Sequence, residues 1–357
     1  MQIRRLARGL QGAQDLGLVA GSLLAALIIS YSGATQDDIH SHRVSHGYSI
    51  LGVPGNLSEL SLYLSLDDAY ALDESGERVC GALACPVRYT AHYNGSVVDS
   101  ALIDETSWVL NGSADVVPRS TAGLLAGLFG GLAVLALVIT CVFIDHIRVP
   151  PDPPDRAGPL REFRDSLADM RLRLAAPLAV FIGLEQAFMY ADFTKSYVSC
   201  AMGPKGICMV FLALGLLQSV AASTLSMFLR HVKRAVVIVA GFLFHACLLL
   251  ALSTWKPSAE DSALFYVIAA CWGVCNAVWE TLNFALLSQT LMTTSCWAHS
   301  IAFRNFGLAV GFTLHGILCE KYKLLGLAIG LLISVPPYAY LELKCEKDRG
   351  ERQSMNL

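Results

Sequence analysis

Eight mostly apolar runs recur along this chain, at about 13–29, 121–143, 175–194, 207–228, 235–254, 263–287, 299–319 and 324–343. Each is near the ~20 residues that a helix needs to cross a bilayer. Hydrocarbon offers no water to satisfy a backbone, so only helices and closed barrels span it. Their length and apolar composition make the expected class an all-α membrane protein with about eight transmembrane helices. With 54% hydrophobic and 15% charged residues, the 357-residue chain lies outside the range of an ordinary soluble domain. Its formal net charge of -3, with no Lys/Arg cluster interleaved with aromatics, argues against a nucleic-acid partner. The partner that composition implies is the lipid bilayer.

The loops give the expected topology. Residues 34–120 are polar and acidic and hold the three N-x-[ST] acceptors, Asn56, Asn94 and Asn111. They also hold Cys80 and Cys85, which are expected to bridge each other if this loop is lumenal or extracellular. Arg148 to Arg156 is broken by prolines, and Arg161, Arg164, Arg171 and Arg173 follow it. Sixteen Lys and Arg then fall on the N-terminal side of the membrane and nine on the other, so both termini are expected in the cytoplasm. The division that follows is 1–145, two helices flanking the long loop; 146–174, a cytoplasmic linker; 175–343, a six-helix unit; and 344–357, a cytoplasmic tail. A different reading makes the first run a signal peptide, leaving seven spans and the outline of a receptor. The small-residue stripe Ala13, Gly17, Gly21, Ala25 argues for a packed helix instead, with Gly123, Gly127 and Gly131 as its expected counterpart.

Ionisable residues inside apolar runs are the candidates for function. Glu185 and Glu280 lie at membrane depth, where such a group costs about 2.5 kcal/mol or more unless it faces protein or water. On a regular helix Glu185, Asp192 and Ser196 share one face, with Lys195 a turn from Asp192; Asn276, Glu280 and Asn283 share another. A cavity or regulatory site would use these groups, and interhelical hydrogen bonding would use the same ones. Arg304 is expected to snorkel to the interface, Asp192 to pair with Lys195, His315 to be a packing residue, and Trp272 and Trp279 to pack or anchor. No Walker loop, G-x-S-x-G, H-E-x-x-H or dinucleotide fingerprint is present, so neither an enzyme nor a cofactor is expected.

Several motifs carry a resemblance. They are Gly183-Leu-Glu-Gln-Ala-Phe188, Asp192-Phe-Thr-Lys-Ser-Tyr-Val-Ser-Cys200, Cys80-Gly-Ala-Leu-Ala-Cys85, Lys233-Arg234-Ala-Val, Trp255-x-Pro257, and Trp272-Gly-Val-x-Asn276-Ala-Val-Trp279-Glu280-Thr281-x-Asn283. Together they are similar to Unc-93-like proteins, divergent members of the major facilitator superfamily. The resemblance implies a truncated facilitator bundle lacking the first four of about twelve spans, with 13–143 matching the last two spans of the N-terminal half. It also implies a regulatory role, toward a potassium channel subunit or another membrane protein, in the plasma membrane or an endomembrane. A facilitator-type transporter is the rival, favoured by Glu185 and Glu280 and disfavoured by the missing spans.

Overall fold

The structure is a computed structural model that describes residues 16–31, 79–86, 119–143, 164, 169–203, 205–229, 231–290 and 294–355. Among these residues there is no strand, and helices occur at all eight expected places. They are α1 (Leu16–Tyr31), α2 (Arg119–Phe143), α3 (Met170–Ala187), α4 (Lys205–Phe228), α5 (Arg234–Thr254), α6 (Ser262–Thr290), α7 (Thr294–His315) and α8 (Glu320–Met355). Six of them are long and apolar enough to cross a membrane: α2, α3 with its continuation to Met202, α4, α5, α6 and α8. The chain is thus an all-α, multi-pass membrane protein. The other two fall short of that measure for different reasons: α1 is a shorter helix, and α7 carries Arg304 and Asn305 at its centre. Helix α8 runs on to Met355, through residues that the sequence sets apart as a tail.

The six helices α3 to α8 form one unit whose tightest contacts are between α3 and α7 and between α4 and α6. Glycine makes both possible. A Cβ added at Gly183 would lie 1.9 Å from the Arg304 carbonyl oxygen, and one at Gly307 would lie 2.0 Å from that of Val180. At Gly273 the Leu214 carbonyl oxygen would be 2.4 Å away. Backbones in direct contact exclude any side chain there, which is how small residues bring membrane helices together. Around these crossings a single core gathers Leu178, Phe181, Phe193, Tyr197, Trp272 and Trp279, all buried. The hydroxyls of Tyr197 and Tyr338 donate to the carbonyls of Leu252 (3.0 Å) and Leu282 (2.8 Å), so each buried phenol has an acceptor.

Beyond Ala187 the third helix widens into a π-helical stretch, Phe188–Ser199. An i→i+5 ladder of this length is rare, and it rotates everything after it relative to a regular helix. The Thr194 hydroxyl bonds the carbonyls of Tyr190 (2.7 Å) and Ala191 (2.9 Å), two acceptors within the widened segment.

A short strap covers one end of the unit, and it corrects the expected disulfide. Cys80 and Cys85 do not bridge each other; Cys80 pairs with Cys200 and Cys85 with Cys319. Between them Gly81–Leu83 form one 3₁₀ turn, flanked by extended backbone at Cys80 and Ala84, so the two thiols leave toward different helices. Gly81 has φ of 79°, and a Cβ there would lie 2.6 Å from Pro257. The Glu320 amide donates to the Ala84 carbonyl at 3.0 Å, adding a backbone tie at the start of α8.

The first two helices are different. No described residue of α1 is buried, nor is any of α2 from 122 to 142. The glycine stripes do not meet as expected. Gly17, Gly123, Gly127 and Gly131 have open space where a Cβ would be, while Gly21 faces the Phe129 ring at 3.6 Å. Helix α1 instead lays Leu18 and Val19 against Gly215 of α4.

Candidate functional site

Neighbours in a helix point about 100° apart, and the Glu185–Gln186 pair of α3 uses this to serve two partners. Gln186 faces α6 and α7. Its amide nitrogen donates to Glu280 Oε1 at 2.8 Å and to Asn276 Oδ1 at 3.3 Å, and its oxygen accepts from Arg304 Nε at 3.1 Å. Arg304 Nη1 is 3.3 Å from Glu280 Oε1. Asn276 in turn donates to Gln218 of α4 at 3.0 Å. One polar chain thus links α4, α6, α3 and α7 at membrane depth, with a single positive and a single negative charge. A buried pair of this kind is tolerated because each charge answers the other and amides take up the remaining bonds. Arg304 therefore does not snorkel as expected; its side chain is 26% exposed and turned onto Gln186 and Glu280.

Glu185 faces α5 and α6. It is 0% exposed, and its Oε2 lies 3.5 Å from Nδ1 of His245, an imidazole that is equally buried. Trp279 Nε1 donates to that same Nδ1 at 3.0 Å. An indole N–H can only donate, so Nδ1 accepts and any proton on the neutral ring sits on Nε2. Neither oxygen of Glu185 nor His245 Nε2 has a hydrogen-bond partner among the described residues. Phe181 and Trp272 close the ring in, with centroids 5.5 and 5.1 Å from His245. With Nδ1 taken by the indole, the unfilled hydrogen-bonding capacity of this aromatic box lies on the two Glu185 oxygens and on His245 Nε2.

A second ionic cluster lies under the strap. Asp192 accepts from Lys323 Nζ at 2.6 Å and is bonded to His315 Nδ1. Lys323 also donates to Glu320 Oε1 and to the His315 carbonyl, both at 3.0 Å, and Ser196 donates to Glu320 at 2.8 Å. The π-helical turn accounts for the departure from the expected face: Asp192 and Ser196 turn to α8, while Glu185 does not join them. Lys323 and His315 take up Asp192 where Lys195 was expected to, and His315 is a hydrogen-bonding group as well as a packing one.

Of the residues singled out by sequence, Asn276, Glu280 and Arg304 come together. Asp192 belongs to the strap cluster, Glu185 to His245, and Asn283 donates to the Ser300 hydroxyl at 3.2 Å. Gln186, Gln218, His245, Glu320 and Lys323 were missed. For Gln218 and His245 a signal exists, since each is a polar group set in an apolar run. Asn56, Asn94 and Asn111 lie outside the described residues. Among the described residues no group of three or more His, Cys, Asp or Glu is placed to hold a metal ion.

No protein-family model matches this chain. Among curated proteins it is similar to the "Protein unc-93 homolog A" of Xenopus laevis, 27% identical over 242 residues that cover 65% of this chain and 53% of that protein. The Homo sapiens protein of that name is 27% identical over 227 residues, 61% of this chain and 50% of the other. A "Putative potassium channel regulatory protein unc-93" of Caenorhabditis elegans is 30% identical over 152 residues, 42% of this chain and 21% of the other. The chain spans about half the length of these homolog A relatives.

Proposed function

We propose that this chain, an Unc-93-like protein, regulates a potassium channel or another membrane protein by packing beside it in the bilayer. The observation that carries this reading is the polar chain Gln218–Asn276–Gln186–Glu280–Arg304, whose charges and amides bond one another inside the six-helix unit. Groups bonded in this way fix the helix arrangement that a partner would read on the outside. The name of the Caenorhabditis elegans relative supports a channel as that partner. In this reading Glu185, Asp192, Asn276, Glu280, Asn283 and Arg304 set the shape of the regulator, and both termini lie in the cytoplasm. The plasma membrane or an endomembrane is its place of action.

Co-expression with potassium channels in oocytes tests this directly. The expected result is an altered current amplitude or voltage dependence and co-purification of the two proteins. Unchanged currents across a channel panel, without co-purification, would sink it.

One observation favours a second reading, transport. The Glu185–His245 pair has unfilled hydrogen-bonding capacity at membrane depth, which suits a proton-handling step. Proton-coupled flux in proteoliposomes, abolished by Glu185→Gln, would shift the assignment to a transporter.

A further inference from the structure

Helices α3, α7 and α8 leave between them a cleft of about 800 Å³. Ala176 and Val180, Phe303 and Phe306, and Ile329 and Ile333 line it, one pair from each helix. Along α3 it extends from Leu172 to Leu184, a rise of about 18 Å at 1.5 Å per residue. That is close to the depth of one leaflet, about half of a ~30 Å hydrocarbon core.

The lining carries two polar side chains, Arg173 and Ser334. Arg173, in the first turn of α3, stands at one end, exposed, its guanidinium reaching the Met170 sulfur at 3.6 Å. Arg171 is exposed on the same turn. The carboxylate nearest them in sequence, Asp169, accepts from the Arg171 backbone amide at 2.9 Å and caps the helix. At the other two helices the lining includes Ser334, whose hydroxyl donates to the Leu331 carbonyl and is thereby satisfied. A greasy slot one leaflet deep, with at its polar end a guanidinium that meets no carboxylate among the described residues, has the dimensions and charge of a lipid tail joined to an anionic head. Guanidinium is also the side chain best shaped for phosphate.

We propose that this cleft holds an acyl chain of an anionic bilayer phospholipid, whose phosphate is bound by Arg173. The site is separate from the polar network and goes beyond the regulatory reading. Gly326 gives a clean way to close it, because it lines the cleft and a Cβ there meets nothing within 4 Å. A phenylalanine at 326 therefore fills the slot without driving into backbone.

The test is native mass spectrometry of the purified full chain in mild detergent, incubated with palmitoyl-oleoyl phosphatidylglycerol or with the matching phosphatidylcholine. The expected result is one phosphatidylglycerol retained per chain, at least several-fold over phosphatidylcholine. Arg173→Gln should bring the two lipids to equal retention. Gly326→Phe should lower both several-fold, while Gly123→Phe, on an open helix face, should change neither. If Gly326→Phe elutes as an aggregate, Ile329→Trp replaces it. A photoreactive benzoylphenylalanine at position 302 reports on the occupant in cells. A phospholipid-mass adduct supports the proposal, and a chain-to-chain adduct shows a second protein copy there and overturns it. Equal retention of the two lipids by the wild type, or full retention after Gly326→Phe, also overturns it.

Discussion

Two sets of glycines divide this molecule. In the six-helix unit Gly183, Gly307 and Gly273 sit where another helix's backbone leaves no room for a methyl group. In α2 Gly123, Gly127 and Gly131 keep the same small-residue spacing, and nothing lies within 4 Å of where their Cβ atoms would be. The spacing is the same kind of signal in both places, so it reports only that a close approach is possible. What separates them is polar pairing. Helices α3, α4, α6 and α7 are tied by Gln186, Gln218, Asn276, Glu280 and Arg304, whereas α2 between 122 and 142 has no buried residue and Thr140 turns its hydroxyl to the Ala136 carbonyl of its own helix.

The largest effect is expected at Gly183. Gly183→Ala places a methyl group 1.9 Å from a carbonyl oxygen and should cost about 3 kcal/mol or more, enough to abolish monodisperse protein in fluorescence-detected size exclusion. An unchanged elution profile would mean that α3 and α7 do not cross there. Next is Lys323→Met, which leaves buried Asp192 without its ammonium partner at 2.6 Å. Removing one member of a buried pair costs about 3 kcal/mol, so detergent-unfolding curves should shift strongly, and a silent substitution would place this cluster in water. The strap comes third. Cys80→Ser opens a bridge spanning 120 residues and should cost about 2 kcal/mol, with peptide mapping of the wild type yielding Cys80–Cys200 and Cys85–Cys319 fragments. Recovery of a Cys80–Cys85 fragment would restore the local pairing that the spacing suggested. The smallest effect belongs to Gly127→Leu, within about 0.5 kcal/mol of wild type. A large loss there would show that α2 has a partner which the described residues lack.

Run length and hydropathy marked where each of the eight helices lies, though α8 runs on past the expected end at 343 to Met355, since a helix need not stop where its apolar run does. Glu185 and Glu280 could be turned inward from sequence alone, since an ionised group facing lipid is too costly. Their partners were another matter. Gln186 finds Glu280 across 94 positions and Asp192 finds Lys323 across 131, and no local spacing encodes either pair. Regular-helix geometry also fails beyond Phe188, where the π-helical turn moves Asp192 and Ser196 onto a face that a 3.6-residue period does not give. Cys80 and Cys85 looked like a local loop because they are close in sequence. The intervening 3₁₀ turn sends each to a different partner.

The Arg304 and Glu280 charges are bonded to one another and tie α7 to α6. A double-mutant cycle on Arg304 and Glu280 measures this most directly, using unfolding of the full chain in detergent. Arg304→Leu alone strands a carboxylate and should cost about 3–5 kcal/mol, while Arg304→Leu with Glu280→Leu should recover most of that loss. Single substitutions that are each harmless, or losses that simply add, would contradict the claim and leave Glu280 and Arg304 as independent groups facing a wet cavity.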